Sequence, residues 1–128
     1  MPSEQITLIM TLTINDGAVD AVTDILQQSR DMVVANEPGT LTYDCYLHGN
    51  VCRYVEVYES SAALMDHVTG KVGTELAPRL FEHASLDSVL SFGEPTPEVR
   101  SVLEQFGATI NGSPVYSREL SPVGHTIT

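Results

Sequence analysis

The chain has 128 residues, 42% of them hydrophobic, which is enough for one domain with its own core and too apolar for global disorder. Six basic against seventeen acidic residues give a net charge of −11, and no Lys/Arg cluster reverses it locally, which excludes nucleic acid and anionic membranes as partners. No apolar run approaches the roughly 20 residues of a membrane span, and Met1-Pro2-Ser3-Glu4 lacks the basic start of a signal peptide, so a cytoplasmic protein is expected.

Ile6 to Ile14 reads as a strand, because Ile6, Leu8, Met10, Leu12 and Ile14 alternate with Thr7, Ile9, Thr11 and Thr13. Asn15-Asp16-Gly17 ends it. Ala18 to Asn36 reads as an amphipathic helix, with Val22, Ile25, Leu26, Ser29, Met32 and Val33 on one stripe and Asp16 near the positive end of its dipole. Pro38-Gly39 stops that helix.

Leu41 to Leu47 and Arg53 to Glu59 read as a hairpin turning at Gly49-Asn50. That register pairs Leu41 with Tyr58, Tyr43 with Glu56 and Cys45 with Tyr54, and puts all six side chains on one face. It sets Leu47, not Cys45, opposite Cys52, so both cysteines are expected as free thiols. Ser60-Ser61 caps a second helix, Ala62 to Val68, with Leu64 and Val68 on one face; Gly70 to Gly73 breaks it. A short helical segment, Thr74 to His83, and a fourth strand, Leu86 to Phe92, complete a core domain over residues 1–95.

Residues 96–128 form a C-terminal extension expected to pack on the domain or on a partner subunit. Thr96 caps a helix with Pro97 at its first position, Val99, Val102, Leu103 and Phe106 make its stripe, and Gly107 stops it. Val115 to Leu120 reads as a further strand. Asn111-Gly112-Ser113 is spelled as a glycosylation sequon and reads as a turn.

The order strand–helix–strand–strand–helix–strand is that of an α+β, ferredoxin-like βαββαβ fold. Helices cover one face of such a sheet. A second copy related by C2 symmetry is the economical cover for the other, so a homodimer is expected.

Two segments carry a resemblance. Glu37-Pro38-Gly39-Thr40-Leu41-Thr42-Tyr43 resembles the E-x-G-[CT]-L-x-Y lead into the second strand of the antibiotic biosynthesis monooxygenase family. Glu56-Val57-Tyr58-Glu59-Ser60, continued by Ala63-Leu64 and His67, resembles that family's E-x-W-x-S-x-x-A-L-x-x-H signature. The resemblance implies a dimeric α+β barrel that oxidises an aromatic or quinol-type substrate with O2 and no cofactor. Two departures stand out: Tyr58 replaces the usual Trp, and Val72 stands where a second His is common. The chain has no Trp and its first strand no Asn, which argues against the haem-degrading branch.

Oxygenation without a cofactor requires a base to deprotonate an electron-rich phenol or hydroquinone, donors for the anion, and an apolar cavity that excludes water. His67 is the candidate for proton transfer, or else a structural histidine that orders the following loop. Glu56, a charge in mid-strand, is either an orienting partner for His67 or substrate, or a buried carboxylate capping the second helix or bonding across the dimer. Tyr43, Tyr54 and Tyr58 line an aromatic pocket or pack the sheet face. These five residues are expected to border a pocket between sheet and helices that takes a small aromatic or apolar ligand. The four histidines show no metal-binding spacing, Gly70-Lys71-Val72-Gly73-Thr74 lacks the phosphate-loop pattern, and no metal or cofactor is expected. Two function classes follow: a cofactor-independent monooxygenase, and a non-catalytic dimeric module that binds a small molecule.

Overall fold

The computed structural model describes residues 4–118. Strand β1 (Ile6–Ile14) leads into helix α1 (Val19–Asn36), the hairpin β2 (Thr40–His48) and β3 (Val51–Tyr58), and helix α2 (Ser61–Thr69). A π-helical turn (Val72–Leu76) runs into the short α3 (Ala77–Phe81); β4 (Ala84–Phe92), α4 (Pro97–Gln105) and the two-residue β5 (Thr109–Ile110) follow. The sheet order is β2-β3-β1-β4-β5; the first four strands are antiparallel neighbours and β5 runs parallel to β4. This is the ferredoxin-like α+β architecture, with one strand added at the β4 edge.

The alternation in β1 does what its period dictates. Ile6, Leu8, Leu12 and Ile14 are buried toward the helices, while Thr7, Ile9, Thr11 and Thr13 take the opposite face. Between Thr11 and Leu12 the pairing with β4 shifts by one residue, leaving Asp87 as a bulge whose carboxylate accepts the Thr13 hydroxyl at 2.5 Å. Helix α1 buries Val22, Ile25, Leu26, Ser29 and Val33. It starts one residue later than expected, without a side-chain cap, and Asp20 is the acid in its first turn. Helix α2 is capped by Ser60, whose Oγ accepts from Ala63 N at 3.2 Å.

The hairpin register holds from Tyr43↔Glu56 through His48↔Val51, including Cys45↔Tyr54 and Leu47↔Cys52. It fails at the far end. A bulge at Leu41 puts Thr40, not Leu41, opposite Tyr58, and Leu41 turns out to solvent. The backbone there is tied elsewhere: Thr40 N donates to the Glu37 carbonyl, and Glu59 N to that of Gly39.

The glycine pair after α2 does less breaking than expected, since helix resumes at once as the π-turn. Gly73 makes that possible. A Cβ at this position would lie 2.0 Å from the Val68 carbonyl oxygen, so only glycine lets the two turns approach.

Helix α4 is capped by Thr96 and buries Val99 and Leu103 against Ile6, Leu8, Tyr58 and Leu64. Chain 115–118 forms no strand; the rest of the expected Val115–Leu120 strand lies outside the described residues. Pairing falls earlier, at β5, extended by Asn111 N to the Ser91 carbonyl and a Gly93–Gly112 bridge. Ser113 closes this stitch, with its N and Oγ both donating to Glu94 Oε2 at 2.8 and 2.9 Å.

No helix among the described residues is long and apolar enough to cross a membrane. The helix-free face of the sheet carries half-buried Ile9, Val55 and Val57 and exposed Leu90 and Phe92.

Candidate functional site

Strand β3 alternates so that Cys52, Tyr54, Glu56 and Tyr58 all point to the helices. Tyr43 and Cys45 join them across the hairpin, and His67 descends from the buried face of α2. A cavity of about 110 Å³ lies where these side chains meet. Its polar lining is Ser29, Tyr43, Tyr54, Glu56 and His67. The rest is mainly apolar: Leu8 and Met10 from β1, Leu64 and Val68 from α2, Val72 and Leu76 from the π-turn, and Val102, Leu103 and Phe106 from α4.

Four of the five expected residues therefore border one cavity. The fifth, Tyr58, does not. It is fully buried behind Glu56, and its hydroxyl donates to Glu56 Oε1. The reason is strand geometry: residues 56 and 58 share a face one pleat apart, and Tyr58 falls under Leu64, Val99 and Leu103.

The partner of His67 also differs from expectation. Nδ1 of His67 lies 2.7 Å from Oε1 of Glu37, not against Glu56. Glu37 is the residue that ends α1, where the chain turns through Pro38-Gly39 into β2. The same Oε1 accepts the Thr40 hydroxyl at 2.9 Å. An oxygen already accepting from Thr40 calls for a donor at Nδ1, so the proton of neutral His67 sits on Nδ1 and the lone pair on Nε2. The sequence shows Glu37 only as part of a motif; its link to His67 spans thirty residues and exists only in the fold.

Two rings pack on the imidazole. Tyr43 and Tyr58 each lie with ring centroids 5.4 Å from it, and Tyr54 meets Tyr43 edge-on at 5.5 Å, 84° between planes. Glu56 is 2% exposed. Burial pushes its carboxyl up from the ordinary value, and nearby His67 and the Tyr58 hydrogen bond only partly offset this. Burial likewise pushes up the phenols of Tyr43, Tyr54 and Tyr58. The carboxyl and phenols of this wall are thus held toward their neutral, proton-bearing forms.

Both cysteines are free. Burial raises the Cys45 thiol to about 12 and the Cys52 thiol to about 11, which suppresses the nucleophilic thiolate. Among the described residues no group of three or more His, Cys, Asp or Glu is placed to hold a metal ion. Of the histidines, His48 and His83 lie away from the cavity, and His125 lies outside the described residues.

The model of the family "Antibiotic biosynthesis monooxygenase" matches residues 5–72. No curated protein matches the chain. Among solved structures, MupZ from Pseudomonas fluorescens superposes with a TM-score of 0.78 at 20% identity, over 91% of this chain and 96% of that one. A candidate antibiotic biosynthesis monooxygenase from Caulobacter crescentus gives 0.62 at 20% identity, over 70% and 86% of the two chains. One from Nitrosomonas europaea gives 0.65 at 11%, over 76% and 96%. At these identities the likeness speaks to fold alone.

Proposed function

The chain belongs to the antibiotic biosynthesis monooxygenase family, and on that premise we propose that it oxidises a small quinol-type aromatic with O2, without a cofactor. The observation that carries the reading is His67, with Nδ1 held by Glu37 and Nε2 left for an apolar cavity. His67 takes the phenolic proton. The resulting anion is a one-electron donor to O2, and its oxygen is hydrogen-bonded by Glu56. Tyr43 and Tyr54 pack the ring, and Tyr58 holds Glu56 in place. Hydroquinone plus O2 gives hydroxyquinone plus water, so the electrons balance with no further reductant.

Cavity size selects among substrates. An apolar cavity of about 150 Å³ takes one benzene ring, and the space here is about 110 Å³. A one-ring hydroquinone therefore enters with small adjustments, whereas a three-ring anthrone requires α4 to move outward. Oxygen uptake by the purified protein, stripped of metal and flavin, is expected on one-ring hydroquinones and unchanged by chelator. No uptake on any member of a hydroquinone and anthrone panel, together with tight binding of a small apolar compound, identifies a non-catalytic binding module instead.

The reading includes a homodimer. The helix-free face, with Ile9, Val55, Val57, Leu90 and Phe92, is apolar at its centre and is suited to a second copy about a two-fold axis. Light scattering at micromolar concentration is expected to give twice the 13.9 kDa of one chain; a monomer there rules out this arrangement.

A further inference from the structure

We propose that the cavity also catalyses an oxygen-independent reaction, proton transfer at the carbon beside the carbonyl of a small cyclic ketone, with His67 as base and the Glu56 carboxyl as donor to the enolate oxygen. The proposal stands on two buried groups whose inner atoms are occupied and whose outer atoms are not. His67 spends Nδ1 on Glu37. Glu56 spends Oε1 on the Tyr58 hydroxyl. The hydrogen bonds of these two side chains among the described residues use Oε1 of Glu56 and Nδ1 of His67 and leave Oε2 and Nε2, and both side chains border the same cavity.

The protonation states follow from these bonds. Oε1 of Glu56 accepts from Tyr58, so the proton of the neutral acid belongs on Oε2. Burial among apolar side chains pushes that carboxyl up from its ordinary value, toward the neutral form. Tyr58 is a positioning residue: by occupying one oxygen it decides which one carries the proton. The cavity thus presents the Nε2 edge of the imidazole, unprotonated in the tautomer that carries its proton on Nδ1, and the Oε2 edge of the carboxyl, within a mainly apolar lining. A phenol needs only the base. A neutral carboxylic acid alongside it suits a substrate whose oxygen becomes anionic while its carbon loses a proton, which describes enolisation.

The step balances within the site. Nε2 of His67 takes the proton from the α-carbon, the C–H pair becomes the new C=C bond, and the carbonyl π pair moves to oxygen. That oxygen is hydrogen-bonded or protonated by Oε2 of Glu56. The reverse step returns the proton from Nε2 to the same carbon, exchanging its hydrogen, or to the conjugated γ-carbon, moving the double bond. No electron leaves the substrate, so no oxidant is consumed. A six-membered ring is the size the cavity favours.

The test uses cyclohex-3-en-1-one under strict exclusion of oxygen, following its conversion to the conjugated isomer by ultraviolet absorbance and deuterium uptake from D2O by NMR. Conversion is expected at least ~100-fold faster than in buffer of the same pH, a typical general-base contribution. Glu56→Gln is expected to lower it by ~10-fold or more, and His67→Ala to abolish it, with added imidazole restoring part of the rate. Rescue by imidazole requires a folded cavity, so it separates loss of the base from loss of the fold. Wild-type conversion no faster than buffer at millimolar ketone, or a rate indifferent to His67→Ala, overturns the inference. Oxygen uptake on hydroquinones without isomerisation overturns it and leaves the monooxygenase reading standing. Isomerisation without uptake supports it and removes the other.

Discussion

His67→Ala is expected to lower kcat for hydroquinone oxidation by ~100-fold or more, the usual worth of a positioned general base. The imidazole keeps Nε2 free of Glu37 and borders the cavity, and no other histidine among the described residues lines it. The substitution also has a structural cost, because it leaves the buried Glu37 carboxyl with the Thr40 hydroxyl alone. An unsatisfied buried polar group costs about 1–3 kcal/mol. That lowers the melting temperature without unfolding the domain, so kcat must be expressed per folded molecule. Glu37→Gln separates the two contributions. It keeps a side chain of the same shape beside Nδ1 and removes the charge, and its expected loss of ~10- to 100-fold is that of an orienting partner. A His67→Ala protein with lowered melting temperature and normal kcat marks His67 as structural and removes the proposed chemistry.

Alkaline pH is expected to unfold the protein steeply, beginning near pH 10. Tyr43, Tyr54 and Tyr58 have phenols raised above the ordinary value of 10.0, burial being the first cause in each. The second is the charge on Glu56 for Tyr43 and Tyr58, and Tyr43 itself for Tyr54. A raised folded value means the native state keeps protons that the unfolded chain releases. The stability tied to these groups is complete below pH 10 and is lost as the pH climbs from there toward the folded values. Each phenol contributes a slope of up to about 1.4 kcal/mol per pH unit, so the three together approach about 4. The two buried thiols act in the same direction from about 9 upward. Domains of this size have only about 5–15 kcal/mol to lose. Melting temperatures followed across this range should fall sharply, and Tyr54→Phe should reduce the phenols' share of the slope by about a third. A flat profile through pH 11 contradicts the burial on which the site description rests.

The fold was legible where a local signal sets it. The β1 alternation named its own buried face, and the Gly49-Asn50 turn fixed the hairpin register for Tyr43 through His48. Four of the five residues expected at the cavity border it, as that register plus the helix phase of His67 implied. Legibility ended where long-range contacts decide. The Leu41 bulge arises because Thr40 is tied to Glu37 and Gly39 to Glu59, and neither bond has a periodic signature. Glu37 itself reads as an ordinary acid at the end of an amphipathic helix until α2 is packed against it. β5 has two residues, too few for any period, and is held by Asn111, Gly112 and Ser113, which read as a turn. The π-turn depends on what Gly73 lacks, and a missing side chain marks a break and a close approach alike.

The wall of the cavity is divided along the chain. The lining side chains with protons to give or take, Ser29, Tyr43, Tyr54, Glu56 and His67, all fall within the stretch 5–72 that matches the family, as do the apolar Leu8, Met10, Leu64, Val68 and Val72, whereas Gly73, Leu76, Leu80, Phe81, Val89 and the α4 trio Val102, Leu103 and Phe106 come after it. The proton-bearing groups therefore lie on the first segment alone, while both segments shape the space. Substitutions in the later one widen or narrow the space and leave the hydrogen bonds of those groups in place, so a laboratory library confined to α4 reshapes the cavity without replacing a single proton-bearing side chain of its lining.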